Sequence, residues 1–296
     1  MPAPTPATAP AAAPVDVGHY ENFPVASLLC PPALRPAIAA IYHFARTADD
    51  IADEGEATPA ERLTQLALYR ADLECALSGT AVSPNWRPLF MALARVAHEF
   101  ALPAPLLHDL LNAFEQDVRY TAAGHLYRDT AELLDYCRLS ANPVGRLLLH
   151  LYAIEDPEAL AQSDHICSAL QLINFWQDIS VDLPRQRHYL PSDALDRLGL
   201  TREHFMANTA VDAATDRRRT ELVASLCQDA RQRMRRGAPL AKRIPGRAGW
   251  ELRLVVQGGL RILDKIEATG FRSWAHRPTV SKLDVPVLLW RALQMG

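Results

Sequence analysis

The sequence is short of several things, and each shortage removes a class of protein. Glycine supplies 13 of 296 residues, too few for the turn-dense chains that sandwiches and barrels need. No alternating run of β-branched residues occurs, so no strands of period two are expected. The five cysteines, Cys30, Cys75, Cys137, Cys167 and Cys227, form no C-x-x-C pair. That argues against a zinc site or a disulfide framework and for free thiols in a reducing cytoplasm. No apolar stretch approaches the ~20 residues of a membrane-spanning helix. The formal net charge is −3, so no broad basic field is present to attract nucleic acid. A glycine-rich nicotinamide fingerprint is also missing.

What remains is helical. Apolar residues recur at three- and four-residue spacing, as in "ERLTQLALYRADLECAL", the mark of amphipathic helices. Prolines stand at plausible helix starts, as in "TPAERL" and "LPAPLLHDLL", where the first turn accepts them. The first 18 residues are rich in Ala and Pro and lack a basic or leucine-rich leader segment. They are expected to be a disordered tail rather than a secretory signal. Residues 19–296 are expected to form one all-α domain of about ten helices.

Two helices carry unusual polar residues. The run "AIAAIYHF" leads directly into "ARTADDIAD". On a helix Asp49 and Asp53 share a face, Asp50 and Glu54 share another, and Arg46 lies one turn earlier. Further on, "HICSALQLINFWQDISVDLP" places Gln171, Asn174, Asp178 and Asp182 at spacings of 3, 4 and 4 among large apolar residues. A solvated acidic face is the plainer reading of either motif taken alone. Two apolar helices that both end in carboxylate pairs favour function, because buried carboxylates without partners cost several kcal/mol. Carboxylate and amide oxygens suit hard divalent cations, and Mg²⁺ is held by few carboxylates together with phosphate oxygens. The expected ligand is therefore a diphosphate bridged by Mg²⁺, with nearby arginines completing the clamp.

These two motifs in a helical chain of this length resemble the squalene/phytoene synthase family. The resemblance runs from about His19 to about Leu283. It is supported by "AIYHFAR", "QDVRY", "LLDYCRLSANPVG", "RHYLP", "ILDKIE" and "RPTVSK". It implies the class I isoprenoid synthase fold around a central apolar cavity, a prenyl diphosphate substrate and about three Mg²⁺ ions with bound diphosphate. Asp49, Asp50, Asp53, Asn174, Asp178 and Asp182 match the family's metal-binding positions. Arg46 matches a diphosphate-contacting arginine, Arg187 and Tyr189 match an R-x-Y-L-P element, and Arg277 matches a C-terminal diphosphate arginine. Tyr136 matches a tyrosine near the leaving diphosphate, and Gln171 matches a residue lining the cavity. Read without the family, Tyr136 would be a core tyrosine.

The sequence departs from the family pattern at four places. Gln177 precedes Asp178 where most members have arginine. "ANPVG", with Asn142 and Pro143, replaces a small-residue turn. Gly259 stands where a tyrosine is common, and Asn22-Phe23 replaces Ser-Phe at a diphosphate site. Losing an arginine and a serine should weaken one of two diphosphate sites. An enzyme that starts from the joined intermediate needs only one. The strings "ENFPVASLL", "FARTADDIADEG" and "NFWQDI" are similar to those of a bacterial subgroup, the hydroxysqualene synthases of hopanoid pathways. The resemblance then implies conversion of presqualene diphosphate and water to hydroxysqualene and diphosphate without NADPH. Gln177, Asn142 or Gln171 would place the water. It also implies a presqualene diphosphate synthase upstream and a flavin-dependent reductase downstream. Two rivals stand beside it: a head-to-head synthase joining two prenyl diphosphates, and a catalytically silent helical partner of a prenyl synthase. A lipophilic product implies at most peripheral membrane contact. The basic-ended "RRRTELVASLCQDARQRMRR" offers a contact for anionic lipid, though its plainer reading is an ordinary solvated helix.

Overall fold

The computed structural model describes residues 30–206 and 209–295. The N-terminal tail, the expected domain start at residue 19, and Asn22 and Phe23 lie outside the described residues. Within them the chain forms α1 (Arg35–Asp53), α2 (Pro59–Ser78), α3 (Arg87–Phe100), α4 (Ala104–Ala123), α5 (Thr130–Ser140), α6 (Asn142–Leu151) and α7 (Pro157–Gln177). Then come α8 (Ile179–Asp182), α9 (Ser192–Arg197), α10 (Ala213–Gly237), α11 (Leu240–Arg243), α12 (Gly246–Ala268) and α13 (Val285–Gln294). Among the described residues there is no strand, and ten of these helices run ten residues or longer, in line with the expected all-α class.

Local chemistry sets many of the helix starts. Thr58 and Glu61 form a reciprocal capping box at α2, with Pro59 in the first turn. Asp156 accepts from the Ala159 backbone N–H at 2.9 Å to start α7. Each satisfies backbone donors that a helix N-terminus leaves open.

The helices pack as two interlocking halves. In the first, α1 to α4 enclose Phe44, Tyr69 and Phe90, all with no exposed surface. Tyr69 stacks on Phe44 at 5.5 Å and donates its hydroxyl to the Phe44 carbonyl at 3.1 Å. In the second, α5, α7, α10 and α12 share a core that includes Leu133, Trp176, Met234 and Leu263. Helix α6 joins them: Leu147 and Leu151 face the first core and Leu149 the second. Helices α7 and α10 approach closely because position 237 is glycine. A Cβ there would come within 2.5 Å of the Gln162 carbonyl oxygen. The five cysteines are free thiols, and three of them are buried. No described helix is long and apolar enough to cross a membrane.

Candidate active site

Helix α1 is apolar through Phe44 and then turns polar over its last two turns. Its C-terminal end opens on a cleft of about 630 Å³ between the two halves. Asp49 and Asp53 line this cleft, opposite Gln171 and Asn174 near the end of α7 and Asp182 at the end of α8. Two segments that the sequence separates by more than a hundred positions thus share one hollow. Tyr136, Arg187 and Tyr189 line it as well. The oxygen donors of Asp49, Asp53, Asn174 and Asp182 form a set suited to Mg²⁺, and no histidine or cysteine lines the cleft. Among the described residues, no three His, Cys, Asp or Glu side chains stand close enough to hold a metal ion by themselves.

Arginines occupy most of these carboxylates. Arg46 pairs with Asp49 at 3.1 Å and with Asp50 at 2.7 Å. Arg187 pairs with Asp53, and Arg185 stands 3.8 Å from the same carboxylate. Asp182 has no ion-pair partner among the described residues. Burial pushes its carboxyl up to about 7, the negative charge of Asp178 adds to the rise, and Arg185 and Arg277 oppose it. A buried carboxylate that resists ionisation in this way is poised to receive a cation. The residues present therefore fit Mg²⁺.

The second acidic helix differs from the expected single stripe. Helix α7 ends at Gln177, and Asp178 caps it outside helical geometry, with φ −102° and ψ 15°. The break carries Asp178 out of the cleft lining. It instead binds Arg277 through two hydrogen bonds of 2.5 and 3.1 Å. Asp182 returns to the cleft through the extra turn of α8. Gln177 also faces elsewhere: its amide donates to the Pro278 carbonyl at 2.7 Å. Asn142 is buried where α5 meets α6 and accepts from Ser168 at 2.9 Å. Of the three candidates for placing water, Gln171 alone lines the cleft. Asp50 is held by Arg46 and does not line it. Gly259 has a packing reason, since a Cβ there would come within 2.8 Å of the Met234 methyl group.

Two cleft residues had no assigned role in the sequence reading. Asp117, from the "QDVRY" stretch of α4, accepts the Tyr136 hydroxyl at 2.7 Å. Loss of water raises its carboxyl to about 7; the Tyr136 hydrogen bond opposes the rise and the charge of Asp49 adds to it. Nothing local singles out Asp117, since α4 also carries Asp109, Asn112, Glu115, Gln116 and Arg119. Arg62 donates to the carbonyls of Ile51, Glu54, Gly55 and Ala57 at 2.7 to 3.1 Å. These groups belong to the end of α1 and the loop after it, so Arg62 fixes the segment that carries the first acidic motif. Behind the carboxylates lies an aromatic wall. Phe175 and Tyr189 stack at 3.7 Å, and Tyr136 stands 6.2 Å from Phe175.

A bundle of this kind, with two acidic helix ends facing across a polar cleft, has the class I isoprenoid synthase fold. The squalene/phytoene synthase family model matches residues 17–284, and the chain belongs to that family. It is 39% identical over 188 residues to a hydroxysqualene synthase of Zymomonas mobilis, an alignment covering 62% of this chain and 59% of that protein. It is 34% identical over 253 residues to a hydroxysqualene synthase of Sinorhizobium fredii, covering 85% and 80%. Among solved structures it resembles squalene synthase HpnC of Alicyclobacillus acidocaldarius. The TM-score is 0.75 at 35% identity, covering 86% of this chain and 90% of that one.

A separate cavity of about 80 Å³ lies between α6, α7, α11 and α12, lined mainly by apolar residues such as Leu149, Ile166, Ile244 and Val255.

Proposed function

We propose that this enzyme converts presqualene diphosphate and water to hydroxysqualene and diphosphate. The observation that carries the reading is the convergence of Asp49, Asp53, Asn174 and Asp182 on one cleft backed by Tyr136, Phe175 and Tyr189. Similarity to hydroxysqualene synthases of two bacteria supports the particular reaction.

Mg²⁺, held by Asp49, Asp53, Asn174 and Asp182, would neutralise the leaving diphosphate and favour its departure. Arg187 lines the cleft and Arg46 pairs with Asp49 beside it, so both would supply bidentate donors to phosphate oxygens. Ionisation breaks the carbon–oxygen bond and leaves a carbocation. The faces of Phe175, Tyr136 and Tyr189 stabilise positive charge near them through the ring quadrupole. Gln171 offers an amide to hold one water against the rearranged cation. The water oxygen forms the new carbon–oxygen bond, and its proton leaves with the diphosphate, so no reductant is consumed.

The test uses purified protein, Mg²⁺ and presqualene diphosphate, with mass analysis of the product. The tertiary alcohol should form at equal rates with and without NADPH. Squalene formed only with NADPH would overturn the water-capture ending. A second reading, a synthase that joins two prenyl diphosphates itself, draws on the structural neighbour named squalene synthase. Turnover of farnesyl diphosphate alone would favour it.

A further inference from the structure

Among the described residues, half of the exposed large apolar side chains gather in one short segment. Leu283 is 88% exposed, Trp290 63%, Leu293 57%, Leu289 49% and Val285 46%. They belong to α13 and the turn before it. Helix α13 turns Ala292 inward, with no exposed surface, and carries Leu289, Trp290 and Leu293 outward. A protein surface rarely leaves so many large apolar groups contiguous without a use.

Helix α13 is fixed to one side of α12 by three ion pairs. Arg291 meets Asp264 at 2.5 Å, while Arg261 and Lys265 meet Asp284 at 2.8 and 2.6 Å. At about 100° per residue, Arg261, Asp264 and Lys265 share an arc of α12 with Arg247 and Trp250. The outward face of α13 therefore lies on the same side of the molecule as Trp250, which is 40% exposed and stacks with Arg253 at 4.8 Å. The chain around that tryptophan is strongly basic. Residues 235–250 contain Arg235, Arg236, Lys242, Arg243 and Arg247 and no acidic residue. All five are exposed. Arg243 is engaged by Asp156 and Glu158, whereas Arg235, Arg236 and Arg247 have no ion pair among the described residues.

We infer that this side of the molecule docks on an anionic lipid bilayer. Leu289, Trp290 and Leu293 would enter the acyl boundary, and the basic segment would meet the headgroups. Tryptophans suit that boundary because the ring is apolar and its N–H is polar. The charge decides between occupants. A second copy docked about a two-fold axis would bring two basic segments together, whereas anionic headgroups complement them. Leu240, Ile244, Ala248 and Leu252 of the same region face inward onto the apolar cavity of about 80 Å³. The docked side would therefore back directly onto apolar space. The inference does not depend on the proposed reaction, because its readout is vesicle binding.

The experiment is sedimentation of the full chain with vesicles of phosphatidylcholine alone or with roughly a third phosphatidylglycerol, at low and high salt. Anionic vesicles should bind at least tenfold more strongly, with the difference shrinking at high salt. The variant Leu289→Ser/Trp290→Ser/Leu293→Ser should lose at least tenfold in partition at an unchanged circular dichroism spectrum. Because each basic group near an anionic surface is worth about fivefold, Arg235→Gln/Arg236→Gln/Arg247→Gln should lose roughly a hundredfold at low salt. Equal binding to both vesicle types, no binding to either, or wild-type binding by the serine variant would overturn the inference. So would a dimer in light scattering that the serine variant abolishes, since the occupant would then be a second copy.

Discussion

Replacing Asp182 by asparagine should make the metal-free protein more stable at pH 8. The carboxyl of Asp182 is raised from 3.8 to about 7 in the folded chain, first by burial and then by the charge of Asp178. An unfolded chain releases this proton near pH 4, so between pH 4 and 7 the folded state holds more of it. Stability contributed by this group is therefore lost as pH rises through that window. Three units correspond to a ceiling of about 4 kcal/mol at 1.36 kcal/mol each. The cleft admits water, so about 2 kcal/mol is the more realistic loss. For a chain of this size that amounts to about 4 °C in melting temperature. Thermal melts in EDTA should show Asp182→Asn above the parent by this amount at pH 8 and level with it near pH 4.5. Added Mg²⁺ should raise the parent at pH 8 and leave the variant little changed. An offset equal at both pH values, or a variant less stable at pH 8, would refute the argument that the carboxylate is held uncompensated for a cation.

Three other substitutions test other parts of the structure. Tyr136→Phe should keep turnover within a few-fold of the parent, because the ring face that stabilises positive charge remains. It should also move the Asp117 carboxyl upward in an NMR titration, because it removes a hydrogen bond that lowers that carboxyl. Arg62→Ala should cost about 1 to 2 kcal/mol in urea melts and raise the Mg²⁺ concentration needed for half-maximal rate, since the end of α1 loses four carbonyl anchors. Gly237→Ala should destabilise by about 3 kcal/mol with no change in metal dependence, because the new methyl meets the backbone of α7 rather than the cleft.

The helical class was legible because periodicity and proline placement are local properties. So was the shared face of Asp49 with Asp53 on α1 and of Gln171 with Asn174 on α7, whereas Asp182 reaches the cleft from α8. The break at Asp178 was not legible. The spacing 3, 4, 4 assumed an unbroken helix through Asp182, and nothing in "NFWQDISVD" announces the irregular turn after Gln177. Once the helix breaks, Gln177 and Asp178 turn toward the 277–278 segment, a contact across a hundred residues that no local pattern encodes. Asp117 and Arg62 were missed for the same kind of reason. The partner of each becomes apparent only when α4 meets α5 and when α2 folds back on the end of α1. The basic pattern of the long helix α10 suggests a solvated helix, yet Arg219 is buried and lies 4.9 Å over the Trp274 ring.

The arginines that grip Asp49 and Asp53 have a consequence for how ligands arrive. A cation entering by itself would have to evict guanidinium groups and leave them stranded. An anion entering by itself would have to lure them away and leave carboxylates bare. Only when both come together does every charge change hands without one being orphaned. Affinity for the pair should therefore exceed what the two separate affinities suggest, with Mg²⁺ alone gaining only the unpaired Asp182.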